Sequence, residues 1–300
     1  MAFAHALSDS KPAAPNQRSK KRLLPYLLLL PGMVWLAIFF VTPLVTLFMT
    51  TMQTPVPGGL IGQYEQTFRI QNFVDVLQRD ETIAALGRSL GYSITATLLA
   101  LAIGYPLAYA IALKAGKWKN VMLILVIAPF FVSFILRTTA WRAILTDEGP
   151  VVGFLQSIGF DVGSIFPSMI AVVAGLTYNF LPFMTLPIYA SLERLDPRLV
   201  EAAGDLYASP ATAFRKVTLP LSMPGVVAGT LLTFIPAAGD FINSSLLGNR
   251  QNLMLGNLID SRFLSIVDYP SAAVMAFTLM AFILVLVFMY VRRAGTEELV

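Results

Sequence analysis

Six long apolar stretches alternate with shorter polar ones along this chain, at roughly 23–50, 90–113, 121–143, 168–191, 221–245 and 272–291. Each is long enough, at about 1.5 Å per helical residue, to cross about 30 Å of hydrocarbon. Lipid offers backbone N–H and C=O groups no water, so such segments must close their own hydrogen bonds. The alternation expected of barrel strands is absent from them. The pattern therefore predicts an all-α, polytopic membrane protein with six transmembrane helices. It divides the chain into a disordered cytoplasmic tail at 1–22, a transmembrane domain at 23–293 with a polar loop at 192–220, and a cytoplasmic tail at 294–300.

Composition agrees. Of 300 residues, 56% are hydrophobic and 13% charged, against about 25% charged in a soluble domain. That excess cannot be hidden in one globular core. The net charge of +4 is spread over short inter-helix stretches rather than one basic face, so nucleic acid is excluded as a partner. The chain has no cysteine, which removes disulfides, thiol catalysis and thiolate metal sites. The single histidine, His5, lies in the polar N-terminal tail, and no metal site is expected. Arg18, Lys20, Lys21 and Arg22 precede an apolar run from Leu23 to about Phe48. That run is too long for a signal peptide and no small-residue cleavage site closes it, so it reads as an uncleaved first span.

Positive charge orients the spans. One set of ends and loops carries Lys11, Arg18, Lys20, Lys21, Arg22, then Lys114, Lys117, Lys119, then Arg194, Arg198, Arg215, Lys216, and finally Arg292 and Arg293. The opposite set carries Arg69, Arg79, Arg88, Arg250 and Arg262, joined at most by Arg137 and Arg142. Both termini and the 192–220 loop are thus expected in the cytoplasm. On the other side, 51–89 includes an amphipathic stretch, NFVDVLQRDETIAALGRSL, and 152–160, VGFLQSIGF, reads as a short interfacial helix. Both serve equally as loop caps or as a docking surface for an external partner.

The 192–220 loop contains two helix starts. Asp196-Pro197 and Ser209-Pro210 each place a capping side chain before a proline. Short helices at about 197–207 and 210–218 follow. Arg198, Glu201 and Asp205 share a charged face, and Ala202 and Ala203 leave a small surface beside it. Pro220 is expected to interrupt the chain where the fifth span begins. Such a pair is either a rigid lever or a well-capped connector. The chain has no GxxxxGK[ST] loop, so ATP hydrolysis would need another chain. It also lacks GxSxG.

Glu201-Ala202-Ala203, followed at the right spacing by Val217, Leu219 and Pro220, resembles the EAA loop of permease subunits of bacterial ABC importers. The departure is Tyr207, where that pattern has glycine; a glycine sits instead at 204. If the first helix ends in a left-handed residue at 207, tyrosine costs about 1–2 kcal/mol there; otherwise the break falls nearer Gly204. The resemblance implies the type I ABC importer permease fold. It implies ATPase coupling through Glu201, Ala202, Ala203, Gly204, Asp205, Tyr207, Leu219 and Pro220, with Glu201 as a charged contact. PFFVSFILRTTAWRAIL (129–145), GDFINSSLLGN (239–249) and NLMLGNLIDSRFLSIVDYPSAA (252–273) are similar to the spermidine/putrescine branch. Polyamines are the implied substrate, with another small solute as the alternative. The implied partners are an ABC ATPase dimer holding ATP and Mg, a second and different permease, and an extracytoplasmic substrate-binding protein. No cofactor is expected in this chain.

Asp240 lies about 30 Å beyond Pro220, and Arg137 about 27 Å beyond Lys119, along outward-running helices. Intramembrane charges usually face a cavity or a partner. An Asp240–Arg137 gate, a cation site built from Asp240 with Trp141 or Tyr178, and plain solvation at helix ends remain open readings. Asn179 reads as an inter-helix hydrogen bond. A stand-alone secondary transporter would call for mid-depth carboxylates and paired broken helices.

Overall fold

The computed structural model describes residues 24–159, 163 and 165–294. The predicted N-terminal tail, with His5 and its five basic residues, and the C-terminal tail from 295 lie outside the described residues. Among the described residues, five helices are long and apolar enough to cross a membrane, or six if one sharply bent pair counts as a span.

The chain separates into two units, one ending at Met49 and one beginning at Thr50. The first is a helix, α1, over 24–50, with a π-turn at Ala37–Val41. There the Thr42 N–H reaches back five residues to the Ala37 carbonyl. Pro43, one residue on, has no N–H and its ring crowds the carbonyl four residues earlier; the wider turn relieves that clash.

The second unit begins with a hairpin, β1 (Gln53–Pro55) against β2 (Tyr64–Gln66), antiparallel with Thr54 opposite Glu65. The Tyr64 hydroxyl donates to the Val267 carbonyl at 2.7 Å. Burial and the nearby Asp268 carboxylate raise its pKa, so it stays a donor. The amphipathic stretch read from the sequence is divided: α2 (Gln71–Leu77) ends before extended Arg79, and α3 runs from Asp80 to Lys114. Thus α3 starts before the expected residue 90. Its first turns bury Thr82, Ala85 and Ser89; Ser89 Oγ accepts from the Leu255 N–H at 2.8 Å.

The third apolar stretch is not one straight helix. A helix, α4 (Lys119–Ile127), passes through a 3₁₀ turn at Ala128–Phe131 into extended Val132 and Ser133. A second helix, α5 (Phe134–Leu145), opens the segment Phe134–Ser157, which leaves at 98° to Gly116–Phe131. Pro129 removes one helical donor, and the residues after it take extended backbone angles, which stop the ladder. The predicted interfacial helix is α6 (Pro150–Ser157). Next, α7 (Met169–Glu193) starts at Ser168, whose side chain accepts from the Ala171 N–H. A short helix, α8 (Pro197–Asp205), follows.

The fifth span, α9, runs from Pro210 to Ala238. Pro220 does not interrupt it, contrary to expectation, and the predicted helix at 210–218 is its first part. A π-turn at Phe214–Thr218, closed by the Leu219 N–H on the Phe214 carbonyl, absorbs the proline as Ala37–Val41 absorbs Pro43. The helix also stops seven residues short of the expected end at 245. Pro236 and Gly239 close it, and α10 (Ile242–Leu247) and α11 (Leu255–Asp260) form a separate capped layer before α12 (Tyr269–Ala294).

The core lies where α3, α7 and α9 pack, around Ala100, Ala108, Met184, Ile188 and Val226. Glycines set the spacing. A Cβ on Gly225 would lie 2.5 Å from the Pro187 carbonyl oxygen, and one on Gly229 2.9 Å from that of Met184. This is the small-xxx-small spacing that lets membrane helices touch backbone to backbone. Ion pairs mark both ends of the second unit. The Lys119–Glu193 ion pair joins the 114–120 turn to the start of the 192–220 segment. At the other end, Arg262 pairs with Glu81 at 2.6 Å and Asp268 at 3.5 Å, and Arg88 donates to the Leu253 carbonyl.

Candidate functional site

Two groups of predicted residues fall at opposite ends of the bundle. At the Lys119–Glu193 end stands α8. Asp196 caps it, accepting from the Arg198 N–H at 3.0 Å. Ser209 caps α9 in the same way, accepting from the Thr212 N–H at 3.3 Å. Between them the chain turns through a left-handed residue, and that residue is Tyr207, with φ of 57°. Gly204 stays helical, and nothing lies within 4 Å of a Cβ placed there. The Ala208 N–H donates to the Ala203 carbonyl at 3.0 Å and the Tyr207 N–H to Gly204 at 2.9 Å. This is the Schellman pair that ordinarily favours glycine. Of the two turn geometries left open by the sequence, the break at 207 is the one formed.

This geometry presents side chains outward. Tyr207 is 99% exposed and Leu206 81%; Leu199, Ala202, Glu201 and Asp205 are exposed as well. Among the described residues, no ion pair engages Arg198, Glu201 or Asp205. The result is a short amphipathic helix with free charges beside two bare apolar side chains. Leu219 and Pro220 do not join that surface; they sit further along, inside α9.

At the opposite end the predicted pathway residues meet differently from expectation. Asp240 and Arg137 are not ion-paired. Asp240 Oδ1 accepts from the Asn243 N–H at 2.8 Å and so caps α10. The Arg137 guanidinium lies 5.6 Å from the ring centres of both Phe130 and Phe134, and its buried Nε and Nη1 have no hydrogen-bond partner. Trp141 and Tyr178 pack edge-on to each other at 5.4 Å rather than framing a shared cation site. Asn179 behaves as predicted. Buried between three helices, it donates to Thr138 Oγ1 at 3.1 Å and to Asn243 Oδ1 at 3.0 Å, joining α7 to α5 and α10. Gly175 admits α10 this closely; a Cβ there would lie 2.4 Å from Leu247 Cδ1.

Sequence reading missed Asn257, which holds the layer beyond the fifth span together. Its amide oxygen accepts from the Met254 N–H and Ser244 Oγ, and its nitrogen donates to the Phe241 carbonyl and Ser245 Oγ. All four bonds join residues sixteen or fewer apart, so an asparagine between two short polar runs was the available signal. It also missed Phe214 with Tyr105 and Tyr109, signalled by aromatics four apart on α3, and the glycine pair 225/229. Among the described residues no acidic or histidine cluster could hold a metal ion.

Residues 100–294 match the family described as binding-protein-dependent transport system inner membrane component. A spermidine/putrescine transport system permease protein PotB from Escherichia coli K12 is 36% identical over 249 residues, covering 82% of this chain and 88% of that one. The PotB of Haemophilus influenzae is 39% identical over 210 residues, covering 68% and 72%. The inner membrane ABC transporter permease protein YdcU of E. coli K12 is 32% identical over 295 residues, covering 91% and 90%. Among solved structures, a chain of a bacterial ABC transporter involved in import of the acidic polysaccharide alginate superposes with a TM-score of 0.72, covering 92% of this chain and 96% of that one at 20% identity. A second structure of such a transporter, in complex with an alginate pentasaccharide-bound periplasmic protein, gives 0.71. At that identity the likeness speaks for the fold, which is the all-α permease fold that the sequence implied.

Proposed function

The chain belongs to the family of inner membrane components of binding-protein-dependent transport systems, and we propose that it is one of two different permease subunits of an ATP-driven polyamine importer. It is a multi-pass transport subunit and not an enzyme. The observation that carries the mechanism is α8 with the turn after it, residues 197–207. A capped helix without a buried residue carries Glu201, Arg198 and Asp205 unpaired, with Leu206 and Tyr207 bare beside it. Such a surface fits a cleft in a separate ATPase subunit, where ATP and Mg are bound. Closure of an ATPase dimer then moves the segment and, through it, α9.

The rest of the assembly follows in the same reading. Both termini and the coupling segment face the cytoplasm, because the positive charges concentrate on that side. The hairpin, α6, α10 and α11 face outward, where a substrate-binding protein delivers the solute. A different permease completes the pathway. Spermidine and putrescine are the proposed cargo, supported by the PotB relatives that span most of the chain. A stand-alone secondary transporter calls for broken helices in pairs, and the described residues hold one broken span.

The test is uptake of labelled spermidine into vesicles carrying the full complex, with unlabelled putrescine, amino acids or sugars as competitors. Competition by putrescine alone supports polyamine cargo. Displacement by an amino acid or a sugar, with putrescine inert, assigns the importer to another small solute.

A further inference from the structure

Phe214 opens the π-turn of α9 and is partly buried. Its ring stands edge-on to two rings of α3, with centroids 5.7 Å from Tyr105 and 6.0 Å from Tyr109. Those tyrosines are four residues apart, so one face of α3 presents both. Beside this contact, Tyr105 and Ser222 of α9 share a hydrogen bond at 2.8 Å, and Ser222 donates onward to the Leu219 carbonyl at 2.9 Å. A second π-turn, Ala110–Lys114, begins directly after Tyr109. Both helices therefore leave regular α geometry where they touch.

A π-turn is a soft point in a helix and recurs at functional positions. Left alone, the turn at 214–218 would bend when α8 moved, and the displacement would stop there. Edge-on aromatic contacts are directional, and an aliphatic side chain of similar volume does not reproduce them. We propose that Phe214, clamped by Tyr105 and Tyr109, is the positioning residue that carries displacement of the coupling segment into α3, so that α3 and α9 move as one body. The proposal rests on the coupling role assigned above to residues 197–207.

The experiment uses the full complex in proteoliposomes and reads two rates, ATP hydrolysis and uptake of labelled spermidine. In Phe214→Leu, hydrolysis stays within about twofold of wild type while spermidine moved per ATP falls about tenfold. Phe214→Tyr, which keeps the ring, keeps the wild-type ratio. Adding Tyr109→Leu to Phe214→Leu makes the ratio no worse within about twofold, because Phe214→Leu already removes the contact with Tyr109. An unchanged ratio in Phe214→Leu overturns the clamp. So does a parallel loss of hydrolysis and uptake, which assigns Phe214 to assembly or folding, or a Phe214→Tyr variant as uncoupled as Phe214→Leu. Spermidine uptake by the wild-type complex that does not need ATP overturns the coupling reading and the clamp together.

Discussion

Tyr207 shows how one residue can be anticipated in kind and settled only by geometry. The motif spacing marked it as the misfit, and left-handed backbone costs a non-glycine residue about 1–2 kcal/mol. The turn forms at 207 regardless, with its two closing hydrogen bonds intact. Tyr207→Gly should therefore raise the thermal midpoint of the solubilised chain by relieving about 1 kcal/mol, and Tyr207→Val should lower it. Gly204 is the converse. Its φ is not left-handed and a methyl has room, so Gly204→Ala should stabilise by about 0.5–1 kcal/mol in the same unfolding assay. Asp240 illustrates what residue type alone hides. An intramembrane carboxylate invited an ion pair or a cation site, yet its geometry is that of a helix cap. An asparagine caps as well as an aspartate, so Asp240→Asn should leave uptake within about twofold. A loss beyond about tenfold would show that the charge itself is used.

At the scale of elements, hydropathy located every apolar stretch but not its continuity. The bend at Val132 and Ser133 needs extended angles at two residues, and their side chains are apolar or small, so no drop in hydropathy marks it. Pro129 was the visible sign. Pro220 misled in the opposite direction, because a π-turn lets a helix carry a proline without breaking. The end of α9 was hidden for a related reason: Asn243, Ser244 and Asn257 are buried but bond to Asn179, to each other and to backbone, so the layer packs on the bundle despite its polarity. Helix packing was written in the glycine pair 225/229, whose partners are backbone carbonyls that cannot move aside. Gly229→Val should cost roughly 1–3 kcal/mol through overpacking, read as a lower thermal midpoint or as loss of folded chain in detergent.

For the whole molecule, members of the two charge sets named from sequence are seen at the two ends of the second unit. Lys119 pairs with Glu193 at one, and Arg262 with Glu81 and Asp268 at the other. The segment proposed to meet the ATPase lies at the first, and the capped layer proposed to meet the binding protein at the second. The chain is expected to move solute only when an ATPase engages it through the helix that carries Glu201. The most direct measurement is spermidine uptake together with ATP hydrolysis in proteoliposomes holding the complete complex, for wild type and Glu201→Ala. Wild type should show no uptake when the ATPase is omitted, and Glu201→Ala should show either hydrolysis without matching uptake or loss of the ATPase from the complex. Uptake without an ATPase, or wild-type uptake per ATP in Glu201→Ala, would contradict that expectation.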